Sequence, residues 1–150
     1  MLNTTLADFY ERDIRKLIAE INSFEKEKDL WRTHGTIKNS SGNLALHIAG
    51  GLNYLIGTKL ANTGYVRNRD LEFTTKDVER RILVAQLEEL IPMISMTLNS
   101  FSLEQMESEY PIPFDDAKRS KSYVLLQLAL HLNYHLGQVN YLRRALQSVE

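Results

Sequence analysis

The segment from Ser120 to Ser148 carries two inward stripes at once. One is Val124, Leu128, His131, His135, Gln138 and Leu142, and the other is Leu125, Ala129, Leu132, Leu136, Val139 and Leu146. Both recur every three or four residues, the period of an α-helix. A helix with so wide an apolar face must be covered on several sides, which places it in the middle of a bundle.

Three further segments supply the cover. Leu6, Tyr10, Ile14, Leu17, Ile21 and Phe24 predict an amphipathic first helix. Thr5 and Asp8 form its capping box, and the Glu25–Asp29 charge run closes it. Leu30 to Asn39 reads as loop. Ser40 or Ser41 caps a second helix over 42–60, with Leu44, His47, Gly51 and Tyr54 or Leu55 facing inward and Asn62-Thr63-Gly64 as its stop. Tyr65 to Phe73 follows as a polar connection carrying Arg67, Arg69 and Asp70. Thr74-Thr75-Lys76-Asp77 opens a third helix, striped by Leu83, Leu87, Leu90, Ile94, Leu98 and Phe101. Pro92 lies within it and predicts a kink or break. Tyr110-Pro111-Ile112-Pro113 cannot be helical. With no strand alternation or internal repeat, the expectation is an all-α four-helix bundle of antiparallel type with long connections, one domain over 1–150.

Composition narrows the partners. Eighteen basic residues against 19 acidic ones give a net charge of −1, so nothing electrostatic points to nucleic acid or an anionic membrane. No uncharged apolar run approaches the ~20 residues that span a bilayer. Met1 to Asp8 lacks the basic and apolar regions of a secretory signal, so the expected location is cytoplasmic. Cysteine is absent, which excludes disulfides, thiolate ligands and a cysteine nucleophile, and any thiol in the chemistry must come from outside.

His131 and His135, four apart, stack on one helix face. Buried imidazole nitrogens are costly unless something satisfies them, and a divalent metal does so. His47, on another apolar helix, completes a facial set of three nitrogens with coordination positions left open. The His131–His135 spacing is that of a zinc metalloprotease helix, but Leu132 stands where that motif needs its glutamate base. Leu44, Leu128 and Leu132 stand three residues before the histidines, where a di-iron bundle needs glutamates. Three histidines without a carboxylate suit zinc or nickel. His34, beside Gly35, reads as a surface residue.

Three stretches together carry a resemblance over nearly the whole chain: Gly42-Asn43-Leu44-Ala45-Leu46-His47, the segment from Gly64 to Phe73, and His131-Leu132-Asn133-Tyr134-His135-Leu136-Gly137-Gln138. They resemble the DinB-like, or YfiT-like, superfamily of metal-dependent enzymes. The resemblance implies a four-helix bundle holding a metal by one histidine of the second helix and two of the last, at His47, His131 and His135. It also implies a homodimer and a small-molecule substrate. Characterised members include thiol-dependent transferases and an isomerase in which the metal activates a low-molecular-weight thiol.

Around this trio, Asn43, Asn133, Tyr54 and Gln138 are candidates for orienting the imidazoles or for ordinary interhelical bonding. Arg67 and Arg69 could grip a substrate carboxylate or face solvent, and Trp31 and Tyr65 could floor a pocket or pack in the core. The sequence thus reads as a metal-dependent transferase using a small thiol. A hydrolase using metal-bound hydroxide would need the same site. A non-catalytic metal-binding or structural stress-response bundle is the rival. Apolar surplus on the fourth helix and at Ile82, Val84 and Ile91 accords with a dimer.

Overall fold

A computed structural model describes residues 1–148, so the last two residues of the expected domain lie outside the described part. Among the described residues there is no strand, only two isolated bridges, Glu109 with Ser120 and Phe114 with Ala117. The helices are α1 (Leu2–Asn22), α2 (Ser41–Leu52), α3 (Arg69–Thr74), α4 (Arg80–Asn99), α5 (Leu103–Glu107) and α6 (Lys121–Gln147). α1 ends at Asn22, before the charge run expected to close it, and a 3₁₀ turn, Glu27–Trp31, spans the end of that run and the start of the expected loop. After Leu52, α2 passes into a π-helical stretch, Asn53–Thr58, and a last α turn, Lys59–Ala61.

Four helices enclose the core. α1 and α2 each pack against both α4 and α6. Side-chain bonds give the directions. Asn3, at the start of α1, donates to the Leu98 and Phe101 carbonyls, and Arg80, at the start of α4, donates to the Phe24 carbonyl, so α1 and α4 are antiparallel. Tyr10 donates to the Leu125 carbonyl at 2.5 Å, Asn133 to Asp13, and Arg143 to Glu20, so α1 and α6 run parallel. Leu44 lies beside Leu142, and Leu52 and Leu55 beside Leu128, so α2 is antiparallel to α6. α2 therefore runs parallel to α4, which the long stretch between Ala61 and Arg80 allows by returning the chain to the same end. The antiparallel pattern expected from sequence holds for α1 with α4 and for α2 with α6.

Apolar periodicity fixes which faces meet. Leu6, Tyr10, Ile14, Leu17, Ile21 and Phe24 of the first stripe are all buried, as are Leu83, Leu87, Leu90, Ile94 and Leu98 of α4. The two stripes of α6 part company. The second is core along its length, with Ala129 half-buried, whereas the first leaves the core at His131, His135 and Gln138. α2 behaves alike. Its core face is Leu44, Ala45, Ile48, Leu52 and Ile56; of the predicted inner stripe Leu44 is in the core, while His47, Gly51 and Leu55 flank it and line a cavity.

The ends depart from expectation for local reasons. α1 starts at Leu2, where Thr4 and Met1 exchange the capping bonds expected of Thr5 and Asp8. Ser40 caps α2 by accepting from the Asn43 amide, and Ser120 caps α6 by accepting from Tyr123. α4 begins at Arg80 rather than at Thr74, because Asp77 takes a left-handed backbone, φ 59°, and Thr74 and Thr75 finish α3 instead. Pro92 does not break α4. Proline frees the carbonyl four residues back, here Glu88, and both residues lie on the exposed face where water can satisfy it. Trp31 is half-buried over Gly42, where a Cβ would come within 2.7 Å of the indole, so it packs against the core. His34 is exposed.

Candidate metal centre

His47, His131 and His135 meet at the outer edge of the α2–α6 contact. The Nε2 atoms of His47 and His135 each lie 3.1 Å from His131 Nε2, and the three possible ligand atoms lie within 4.8 Å of one another. Helical spacing delivers two of them from α6, and the antiparallel crossing of α2 delivers the third. His47 is buried, His135 half-buried and His131 exposed to the adjoining cavity. The trio therefore lies at the edge of the core, with His47 and His131 in the wall of an opening.

The opposite edge of two rings is occupied. His47 Nδ1 lies 3.0 Å from Glu72 Oε1, and His135 Nδ1 lies 2.6 Å from Gln138 Oε1. A carboxylate and an amide oxygen can only accept, so both Nδ1 atoms carry the hydrogen and both neutral rings aim an Nε2 lone pair inward. His131 Nε2 faces both lone pairs, and one N–H cannot serve two acceptors well. A cation in their midst resolves the conflict. Nitrogens 2.0–2.1 Å from a tetrahedral ion stand about 3.3 Å apart, close to the 3.1 Å separating His131 Nε2 from each of the other two. The donor set thus fits a divalent metal, held by His47, His131 and His135 with at least one position open.

Glu72 is the member that sequence reasoning missed. It sits on α3, inside what reads as a polar connection, and it is only 5% exposed. Arg67 grips it with two bonds of 2.9 Å, from Nε to Oε2 and from Nη2 to Oε1. The charge is thereby paired, as a buried carboxylate requires. Gly50 makes the approach possible, because a Cβ there would stand 2.1 Å from Glu72 Oε2. Asn43 fastens the helix that carries Glu72, donating to the Glu72 and Thr75 carbonyls at 2.9 and 2.8 Å. Asn43 thus acts on His47 through Glu72, whereas Gln138 touches a histidine directly. Asn133 bonds Asp13 between α6 and α1, and Tyr54 stacks with Lys59, so neither orients an imidazole. Tyr65 lies at the surface, beside a separate groove.

A cavity of about 380 Å³ opens on the trio, lined by His47 and His131, by Arg67 and Arg69, and by Leu55 and Leu128 among its apolar residues. The π-helical stretch of α2 forms part of its wall, and Tyr110 donates to the Leu55 carbonyl there at 2.7 Å. Such stretches recur at functional sites.

Burial pushes the His47 imidazole below its ordinary range, against the Glu72 hydrogen bond that raises it. His131 falls further, to about 4, through desolvation and then the nearby His135, His47, Arg67 and Arg69. Both rings are neutral near pH 7 and free to ligate. In the metal-free protein they bind fewer protons folded than unfolded. Their contribution to stability is present above pH ~6.5 and is lost as the pH falls through that value toward the folded ones. Glu72→Gln removes the charge that raises His47, so its pKa is expected to drop further in the metal-free protein. Gly50→Ala, which pushes Glu72 away, moves it the same way. Proton NMR titration of the imidazole C–H signals checks both, and an unchanged or raised His47 value would contradict the arrangement.

No curated protein matches the chain. Over residues 4–150 it matches the family described as "Protein of unknown function (DUF1572)", which lies within the DinB/YfiT-like superfamily resembled by its sequence. That match covers almost the whole length, and the chain belongs to this family.

Proposed function

We propose that this chain is a metal-dependent enzyme in which His47, His131 and His135 hold a divalent ion, zinc or nickel, and that it transfers a low-molecular-weight thiol to a small electrophilic substrate. The observation that carries the reading is the convergence of three Nε2 atoms at the mouth of an open cavity, two of them with Nδ1 held by an acceptor. A purely structural metal site is closed by its ligands, and this one faces space.

When bound, a divalent ion on three neutral ligands keeps its positive charge and lowers the pKa of a thiol or water beside it. The chain's own part is positional. Glu72 and Gln138 fix the tautomers and ring planes of His47 and His135, as a hydrogen-bonded acceptor behind a ligating imidazole does elsewhere. Arg67 holds Glu72 in place. The apolar lining at Leu52, Leu55 and Leu128 limits water around the reacting atoms. With no cysteine in the sequence, the sulfur is supplied from outside.

The test is a cobalt(II) titration. One equivalent is expected to give the visible bands of a low-coordinate site. Affinity should hold near pH 7 and fall as the pH drops toward 4, where protons compete for the depressed His47 and His131 imidazoles. His135→Ala should bind at least roughly 100-fold more weakly, while His34→Ala should match the parent. Adding a cellular thiol should produce a sulfur-to-cobalt charge-transfer band, and since no protein thiol exists the band reports the added one. A fully loaded protein that shows no such band with any of several thiols overturns the thiol-transferase reading.

The same reading takes the working unit as a cytoplasmic homodimer. Among the described residues no helix is long and apolar enough to cross a membrane. On the outer face of α6, Leu126, Leu130, Tyr134 and Tyr141 are 47–73% exposed, which supports a covered face in the assembly. Light scattering should give twice the 17.3 kDa chain mass at micromolar concentration, and the single-chain mass would contradict it.

A further inference from the structure

We propose that the cavity beside the three histidines binds a small organic acid, with its single carboxylate on Arg69 and its apolar body against Leu52, Leu55, Leu128 and Phe114. This names the substrate class of the proposed metal site. It rests on that reading for the reaction, though not for the binding.

The two arginines of the cavity wall are in different states. Arg67 spends Nε and Nη2 on Glu72, so its charge is matched. Arg69 has no carboxylate partner among the described residues, and its guanidinium lies over the Phe73 ring, 5.4 Å from the centroid. Phe73 in turn packs on His47, ring centroids 4.9 Å apart. The ring contact takes up none of its N–H donors, which stay available to a carboxylate, the partner arginine takes by two parallel bonds. Arg69 lines one cavity with His47 and His131, so an acid anchored there lies beside the metal position.

The remaining lining sets the kind of acid. Ile48, Leu52, Leu55, Leu128, Leu132 and Phe114 make most of the wall apolar. Asp115 adds a negative charge beside Phe114, and this disfavours a second anionic group. A volume of about 380 Å³ lies at the small end of the range for ligand pockets, and an aliphatic chain suits it.

Calorimetry with octanoate and its neutral counterpart octanamide tests the proposal, on metal-free and zinc-treated protein alike. Octanoate is expected to bind at least roughly tenfold more tightly than octanamide in both forms. Arg69→Gln, a surface change that leaves the fold intact, should erase that preference, and Asp115→Asn should not weaken octanoate. If Arg69→Gln keeps the preference, the carboxylate is held elsewhere, on the ion or on another cation, and the proposal is overturned. Equal binding of the two probes, or no binding of either, overturns it too. A preference that depends on Arg69 in a protein that takes up neither zinc nor nickel would support this inference while refuting the metal-site reading, so the two can fail separately.

Discussion

The buried carboxylate of Glu72 is the constraint on which the site depends. An ionised group at 5% exposure costs several kcal/mol unless paired, so its surroundings must be built around it. Arg67 matches its charge by bonding both oxygens, His47 also donates to Oε1, and Gly50 leaves the space its side chain occupies. Arg67 lies on the connection after α2, and His47 and Gly50 lie on α2 itself. Together they tie the connection after α2 back onto α2 and fix which edge of His47 faces outward. Asn43, bonded to the Glu72 and Thr75 carbonyls, holds the backbone of the same connection. What looks like a loop is therefore the part of the chain that sets the orientation of the first histidine.

The bundle supplies the opposite face by simpler means. α6 is held to α1 by Tyr10, Asp13 and Glu20, and its second stripe fills the core. That leaves the first stripe free to depart from the core at His131 and His135 without loss of the helix. The antiparallel approach of α2 brings His47 to the same level. The cavity then follows from two incomplete faces, the flank of α2 at Gly51 and Leu55 and the flank of α6 at Leu128 and His131.

Much of this was legible in the residues. The core positions of α1 and α4 follow from apolar periodicity alone, because burial acts on every third or fourth side chain. The caps at Ser40 and Ser120 follow from their hydroxyls. The histidine trio was legible because two members share a helical face and the third has the same apolar setting. Glu72 was not, because its partners Arg67 and His47 lie 5 and 25 residues away and no period links them. Glu72 and its acidic neighbour Asp70, in a polar stretch, look solvated until the fold closes over Glu72. The one available hint was Gly50, a helix breaker inside an otherwise continuous helix, which marks a close approach. The solvent face of α4, opposite the stripe of Leu83, Leu87, Leu90, Ile94 and Leu98, explains the tolerance of Pro92.

The central claim is that three imidazoles converge on one ion through Nε2. X-ray absorption at the zinc edge of the zinc-loaded protein tests it most directly. The account predicts three nitrogen neighbours with imidazole scattering at about 2.0–2.1 Å and one lighter oxygen or exogenous ligand in an open position. In Glu72→Gln the same shell should persist, with the metal held roughly 10–100-fold more weakly. A first shell with fewer than three imidazoles, or one dominated by carboxylate oxygens, would contradict the account.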